Sequence, residues 1–321
     1  MKQWARSAAA FVVLGLVLYG VVYVAAEWLV YRTGDTNPFY KIATLPERRV
    51  DWVILRASHA MPLDFADFNE TMERATGKRI VNLASTGAGV LYNRFVLEQY
   101  LERHEAGSVL YILDSFTFYD RQWNEQRFAD AKLIRRTPVS GSLGARLLVY
   151  GWHHGVPLTA ALDYLSGFSK INNDERFQRD MWEGEAKFDR VFRFSQVQAR
   201  QRVEYLYPFE QVDTVTFERY WQQFADFVAF VKARGLGLIV IKTPMPERIL
   251  AMIPGETEFD ARVAAFLAEH DVPYHDFSKV DNDPSYFFDT DHLNRKGLTV
   301  FFEQHLQPIL AGNAVPPAPA R

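Results

Sequence analysis

Three short stretches of this chain carry residue types whose order suits acyl transfer: Ser58, Gly87 and the run Asp289-Thr-Asp-His292. Serine is a weak nucleophile until a neighbouring imidazole accepts its proton. His292 can serve, provided that a carboxylate fixes its tautomer and ring orientation. Asp289 stands three residues earlier, on the same side of a single helical turn and within reach of that ring. Asp291 is adjacent in sequence and is expected to point elsewhere. The charge that develops on a substrate carbonyl oxygen needs N–H donors aimed at it, each worth about 3–4 kcal/mol. The backbone amides of Ser58 and Gly87 are the candidates, because glycine lets the chain approach closely.

Competing readings of the same residues are weaker. Ser85 is a rival nucleophile, but it does not follow the first strand. Asp289, Asp291 and His292 also admit a metal-ligand reading, yet no second histidine cluster with ligand spacing accompanies them. No metal and no cofactor is expected. Gly87-Ala-Gly89 lacks both the following Lys-Ser/Thr and the GxGxxG spacing of a phosphate loop. His59, beside the serine, and Asn82 are candidate substrate contacts. The aromatic residues Trp123, Trp152, Trp182, Phe192 and Phe194 suit sugar stacking and helix packing equally well.

Short apolar runs must position these groups. Trp52–Leu55, Arg79–Leu83, Ser108–Leu113 and Leu236–Ile241 read as strands covered on both faces. Val272–Asp276 reads as a fifth, at an edge because Pro273 cannot donate to a ladder. Helical spacing appears over Leu91–Arg103, Phe217–Arg234, Thr257–Glu269 and Arg295–Leu310. Strands alternating with helices predict an α/β fold with an open parallel sheet, whose ligands bind outside the carboxyl ends of the strands. Ser58, the 84–89 loop, the Asp114–Thr117 stretch and the Asp281–Asn294 loop all follow strands, so they are expected to share one crevice. Residues 120–213 break the rhythm and read as a helical insertion after the third strand, within a single domain over 51–311.

Composition narrows the function classes. Of 321 residues 48% are hydrophobic and 23% charged, which excludes a disordered or collagen-like chain. Lys+Arg 36 against Asp+Glu 39 gives a net charge of −3, with no basic footprint for nucleic acid. Cysteine is absent, which removes disulfides and thiolate chemistry. From Ser7 to Ala26 no residue is charged, and about 20 residues suffice to cross a hydrocarbon core of about 30 Å. Lys2 and Arg6 precede this run, so the N-terminus stays cytoplasmic and the remainder faces outward. A cleaved signal peptide is the competing reading. The apolar region is longer than such peptides use, and Val24-Ala25-Ala26 is a weak cleavage site. Residues 1–32 are therefore read as an anchor in the inner cell membrane, 33–50 as a tether, and 312–321 as a disordered tail.

The ordered motifs resemble the SGNH (GDSL-like) hydrolase superfamily over roughly residues 50–310. The resemblance assigns Ser58 as nucleophile, Asn82 with Gly87 to the second block, and Asp289-x-x-His292 to the last. The glycine expected before the serine is replaced by Arg56-Ala57. The asparagine of the third block is missing from Asp114-Ser115-Phe116-Thr117, where Ser115 and Thr117 are the substitute donors considered. An anchor joined to such a divergent domain resembles the partner proteins of membrane-bound O-acyltransferases, of the teichoic-acid D-alanylation and alginate O-acetylation type. That likeness implies acyl transfer, or ester hydrolysis, on an extracytoplasmic polysaccharide through an acyl-Ser58 ester, with a membrane-bound O-acyltransferase as partner. Its alternative is a catalytically degenerate scaffold that binds polysaccharide or docks on such an acyltransferase.

Protease added outside spheroplasts is expected to digest everything beyond the anchor. Full protection in intact spheroplasts would reverse the orientation.

Overall fold

The structure, a computed structural model, describes residues 2–209 and 211–312. The tail read as disordered lies outside the described residues from position 313 onward. Two compact units divide the chain: Met1–Thr44 with Phe128–Met181, and Leu45–Arg127 with Trp182–Arg321.

The second unit is built on a five-stranded sheet in the order β2-β1-β3-β4-β5, with every neighbouring pair parallel. Its strands are β1 (Arg49–Leu55), β2 (Ile80–Asn82), β3 (Glu105–Ile112), β4 (Gly237–Lys242) and β5 (Tyr274–Asp276). All five apolar runs are therefore strands, and the run containing Pro273 is at the edge as expected. Alternate residues of each strand face opposite sides. Trp52, Ile54, Leu110, Ile112 and Ile241 join Phe301, Phe302, Leu306 and Leu310 in one buried cluster. Tyr111 meets the rings of Phe224 and Phe227, from the helix Thr214–Ala233, at 5.8 and 4.9 Å. Helical segments thus cover both faces, which is why the central stretches of β1, β3 and β4 are apolar on both sides. The chain steps from β1 to β2 on one side and then crosses to β3 on the other. That reversal opens a crevice at the carboxyl ends of β1 and β3, where doubly wound sheets hold their ligands.

Arg295–Leu310 departs from a single regular helix. Helix Arg295–Phe301 gives way to a π-turn at Phe302–Leu306 before Gln307–Ala311. Pro308 has no N–H to offer the carbonyl of Gln304, and the widened turn accommodates that loss.

The first unit revises two boundaries. The stretch read as a tether contains a helix, Pro38–Thr44, with Pro38, Phe39 and Ile42 buried. Asn37 starts it by accepting the backbone N–H groups of Phe39 and Tyr40 at 2.9 and 3.1 Å. The insertion is not one block either: Phe128–Met181 groups with the N-terminal segment, and the chain from Trp182 onward belongs to the sheet unit. Long-range polar contacts explain the grouping, among them Arg136 Nη1 donating to Thr33 Oγ1 at 2.8 Å. The N-terminal helix Lys2–Thr33 contains one segment, Gln3–Thr33, long and apolar enough to cross a membrane; its mean hydropathy is 2.4, and none of its apolar window is buried.

Leu110 sits in the middle of central β3 and is fully buried. Leu110→Ala is expected to destabilise the sheet unit by about 2–5 kcal/mol in chemical denaturation. A loss below about 1 kcal/mol would place the core elsewhere.

Candidate active site

Local structure delivers each reactive side chain to the β1/β3 crevice. After Leu55 the chain leaves the sheet through Arg56 and Ala57 and tightens into a 3-10 turn, Ser58–Asp64, with Ser58 as its first residue. Asn82 at the end of β2 fastens this turn, donating its amide to the Ala60 carbonyl at 2.7 Å. The Ser85 N–H reaches the Arg56 carbonyl at 3.2 Å, which lays the 84–89 loop beside the serine turn. From the far end of the sheet, the loop after β5 returns through Asp289 to His292 and enters the helix capped by Asn294.

Ser58 Oγ lies 2.9 Å from His292 Nε2. On the other side of the ring, His292 Nδ1 donates to both Asp289 oxygens, at 2.9 and 3.0 Å. Asp289 also accepts the backbone N–H groups of Asp291 and His292, at 3.1 and 2.9 Å, so its carboxylate is fixed by its own turn. The imidazole is flanked by Phe288, stacked at 5.6 Å, and by the edge of Trp182 at 5.0 Å. Burial pushes this imidazole toward neutrality. The carboxylates of Asp289 and Asp291 outweigh that effect and hold its pKa up at about 9. The structure thus brings Ser58, His292 and Asp289 together.

Asp291 does not point elsewhere. Its carboxylate is buried 3.3 Å from His292 Nδ1, and it accepts Arg202 Nε at 2.8 Å and the Thr290 hydroxyl at 2.9 Å. Local spacing misleads here because the Asp289 turn folds the backbone back, which brings neighbouring carboxylates to one ring. Burial alone would raise the Asp291 pKa; the Arg202 guanidinium and the cation of His292 overcome it and hold the group well below the usual carboxylate range. Arg202 comes from the helix Gln196–Leu206, and no sequence motif marks it.

His59 is also relocated, from substrate contact to support. Its ring stacks on His292 at 4.5 Å, with Nε2 3.1 Å from Asp291 and Nδ1 3.1 Å from Asp114. Asp114 is in turn gripped by Arg56, whose Nε donates at 2.7 Å and whose Nη2 closes the second arm. Asn82 is buried and spends its carbonyl on the Ala84 N–H at 3.0 Å, so it positions two loops and does not face a substrate. Ser115 is corrected as well. Its hydroxyl lies between Tyr207 at 2.6 Å and Glu256 at 2.5 Å, and that buried pairing removes it from the oxyanion role. Gly87 has φ +62°, and a Cβ there would lie 2.9 Å from the Trp123 ring. Both facts demand glycine at this turn. Arg127, bonded to the Thr86 hydroxyl at 2.6 Å, adds a cation beside the turn that sequence reading missed.

His59, Asp291 and His292 present donor atoms within 4.8 Å of one another, the one metal-like grouping among the described residues. Asp291 in this grouping is already ion-paired with Arg202, which makes the cluster part of a charge network.

No family model matches the chain, and no curated protein matches it. A solved structure from Bacteroides fragilis NCTC 9343, provisionally assigned as an acylhydrolase, is similar to it over 87% of this chain and 96% of that one. The identity is 10% and the TM-score 0.43, so the functional reading rests on geometry and not on this likeness.

With its pKa at about 9, His292 is charged at neutral pH and must lose that proton before it can accept one from Ser58. Covalent labelling of Ser58 is expected to accelerate with pH toward a midpoint near 9, and Asp291→Asn is expected to lower the midpoint. A wild-type midpoint at or below the ordinary histidine value of about 6.5 would contradict this. The charged pairing also adds stability that is complete below about 6.5 and is lost as pH rises through about 9.

Proposed function

We propose that this chain is a serine-dependent acyl-transfer enzyme in which Ser58 forms a covalent ester. The observation that carries the reading is the 2.9 Å approach of Ser58 Oγ to His292 Nε2, between residues 234 positions apart. Asp289 on the opposite ring nitrogen supplies the orientation that a general base requires. In the first step Ser58 Oγ attacks an ester carbonyl while its proton passes to His292 Nε2. The backbone N–H groups of Ser58 and Gly87 donate to the resulting oxyanion. Collapse breaks the bond to the leaving alcohol, which takes the proton from His292. A second hydroxyl, from water or a sugar, then attacks the acyl-Ser58 carbonyl as its proton passes to His292, and collapse breaks the bond to Ser58 Oγ, which takes the proton back from His292.

For its setting, we infer a single-pass protein of the inner cell membrane with the catalytic unit outside, acting on cell-surface polysaccharide. In this reading it works as an esterase or O-acyltransferase alongside a membrane-bound O-acyltransferase. Retention of the N-terminal helix is supported by its side chains. Tyr19 donates to the Ser166 carbonyl at 2.7 Å, and Lys170 pairs with Glu27. A cleaved leader would discard the first contact. One observation favours the alternative of a degenerate scaffold: the engaged Ser115 leaves the third loop without that side-chain donor.

A fluorophosphonate probe separates the two readings on the full-length protein in detergent. Labelling is expected in the wild type and is expected to vanish in Ser58→Ala and His292→Ala. Equal labelling in all three, or none in the wild type, would favour the scaffold. Asp289→Asn should keep the fold and depress acyl transfer by about four orders of magnitude, because the wrong tautomer of His292 is favoured. Turnover like that of the wild type would remove Asp289 from the mechanism.

A further inference from the structure

Within the first unit, two helices are apolar on the side they bury and largely apolar on the side they expose, where His153 is exposed and Arg146, His154 and Asp163 are half-buried. Gly141–His154 buries Leu143, Leu147 and Tyr150, while Leu158–Ser166 buries Ala160, Ala161 and Tyr164. Their outer faces carry Leu148, Val149, Trp152, Leu162 and Leu165, followed by Phe168; Trp152 is 86% exposed and Phe168 62%. The spacing of 148, 149, 152 and of 158, 162, 165 keeps these residues on continuous helical faces. An exposed helical face with this much large apolar side chain is favourable only against other apolar matter, protein or lipid.

The N-terminal helix gauges where this face lies. Tyr19 donates its hydroxyl to the Ser166 carbonyl at 2.7 Å, and the Tyr23 ring fills the space that a Cβ on Gly167 would need. Further along, the Lys170 ammonium pairs with Glu27 and lies 5.5 Å over the Tyr23 ring. Arg136 then meets Thr33, and Arg179 meets Asp35. Contacts thus change from apolar and neutral to ionic in step with the helix itself. Tyr19 stands seven residues inside the uncharged run that ends at Ala26, or about 10 Å at 1.5 Å per residue. A hairpin bonded at that level is at the depth of acyl chains, not of water.

We propose that the segment Gly141–Ile171 is embedded in the outer leaflet, with Trp152, Leu162, Leu165 and Phe168 against lipid tails. The protein would therefore hold the membrane by a helical span and a re-entrant hairpin together. Tyr19 satisfies the Ser166 carbonyl that water could not reach there. This proposal rests on the anchor reading, so its test must separate the two.

The chain has no cysteine, so each introduced thiol is a unique reporter. Full-length Leu162→Cys and Phe168→Cys proteins are reconstituted alone in phosphatidylcholine/phosphatidylglycerol vesicles, with exposed Arg74→Cys as the aqueous control. A membrane-impermeant maleimide is expected to label the first two about tenfold more slowly than the control, with rates converging on addition of detergent. A nitroxide at position 162 should collide with oxygen more often than with an aqueous nickel chelate. Equal maleimide rates in vesicles, from protein that resists carbonate extraction, would overturn the hairpin and leave the anchor standing. Protection in native membranes but not in protein-only vesicles would assign the face to a protein partner and overturn the lipid proposal. Release of the protein by carbonate would overturn the anchor itself.

Discussion

A buried network of ion pairs and hydrogen bonds holds the candidate active site together. Arg56 grips Asp114, His59 stands between Asp114 and Asp291, and Asp291 is held by Arg202. These groups come from the end of β1, the end of β3, the helix Gln196–Leu206 and the loop after β5. Ser58 and His292 are adjacent to its members, so their separation is inherited from it. Charges this deep carry a large desolvation penalty, and removing one partner from such a pair typically costs about 3–5 kcal/mol. The network therefore tolerates little displacement at the point where a hydroxyl oxygen and an imidazole nitrogen must meet.

The same network sets the chemistry. Two carboxylates around one imidazole favour its charged form, while burial among Phe288, Trp182 and His59 opposes it. The attraction prevails, and the base is stronger than an ordinary histidine but less available at neutral pH. A second buried cluster lies behind the first, where Lys242 pairs with Glu256 and Asp260, and Glu256 accepts the Ser115 hydroxyl. Ser115 thus serves the packing of this layer and not the oxyanion.

In the first unit the constraint is of the opposite kind. An N-terminal helix with nothing buried along its apolar window meets helices that are themselves largely apolar outside. In the lipid-embedded reading proposed above, hydrocarbon makes both surfaces favourable, since exposed apolar area of this extent is unfavourable in water. In that reading, the ion pairs that continue the same contacts beyond Ala26 lie on the aqueous side.

Local signals in the sequence were enough for the strands, the two short-range partners Asp289 and His292, and the membrane-length helix. Each depends on periodicity or on a spacing of a few residues, which the backbone geometry alone enforces. The pairing of Ser58 with His292 follows the rule that ligands gather at strand ends. What only the tertiary structure decided is which buried charges neutralise one another. Arg202 reaches Asp291 across 89 positions and Ser115 reaches Glu256 across 141. No periodicity encodes such partners, because a buried charge is satisfied by whatever opposite group the fold brings near, whatever its distance along the chain.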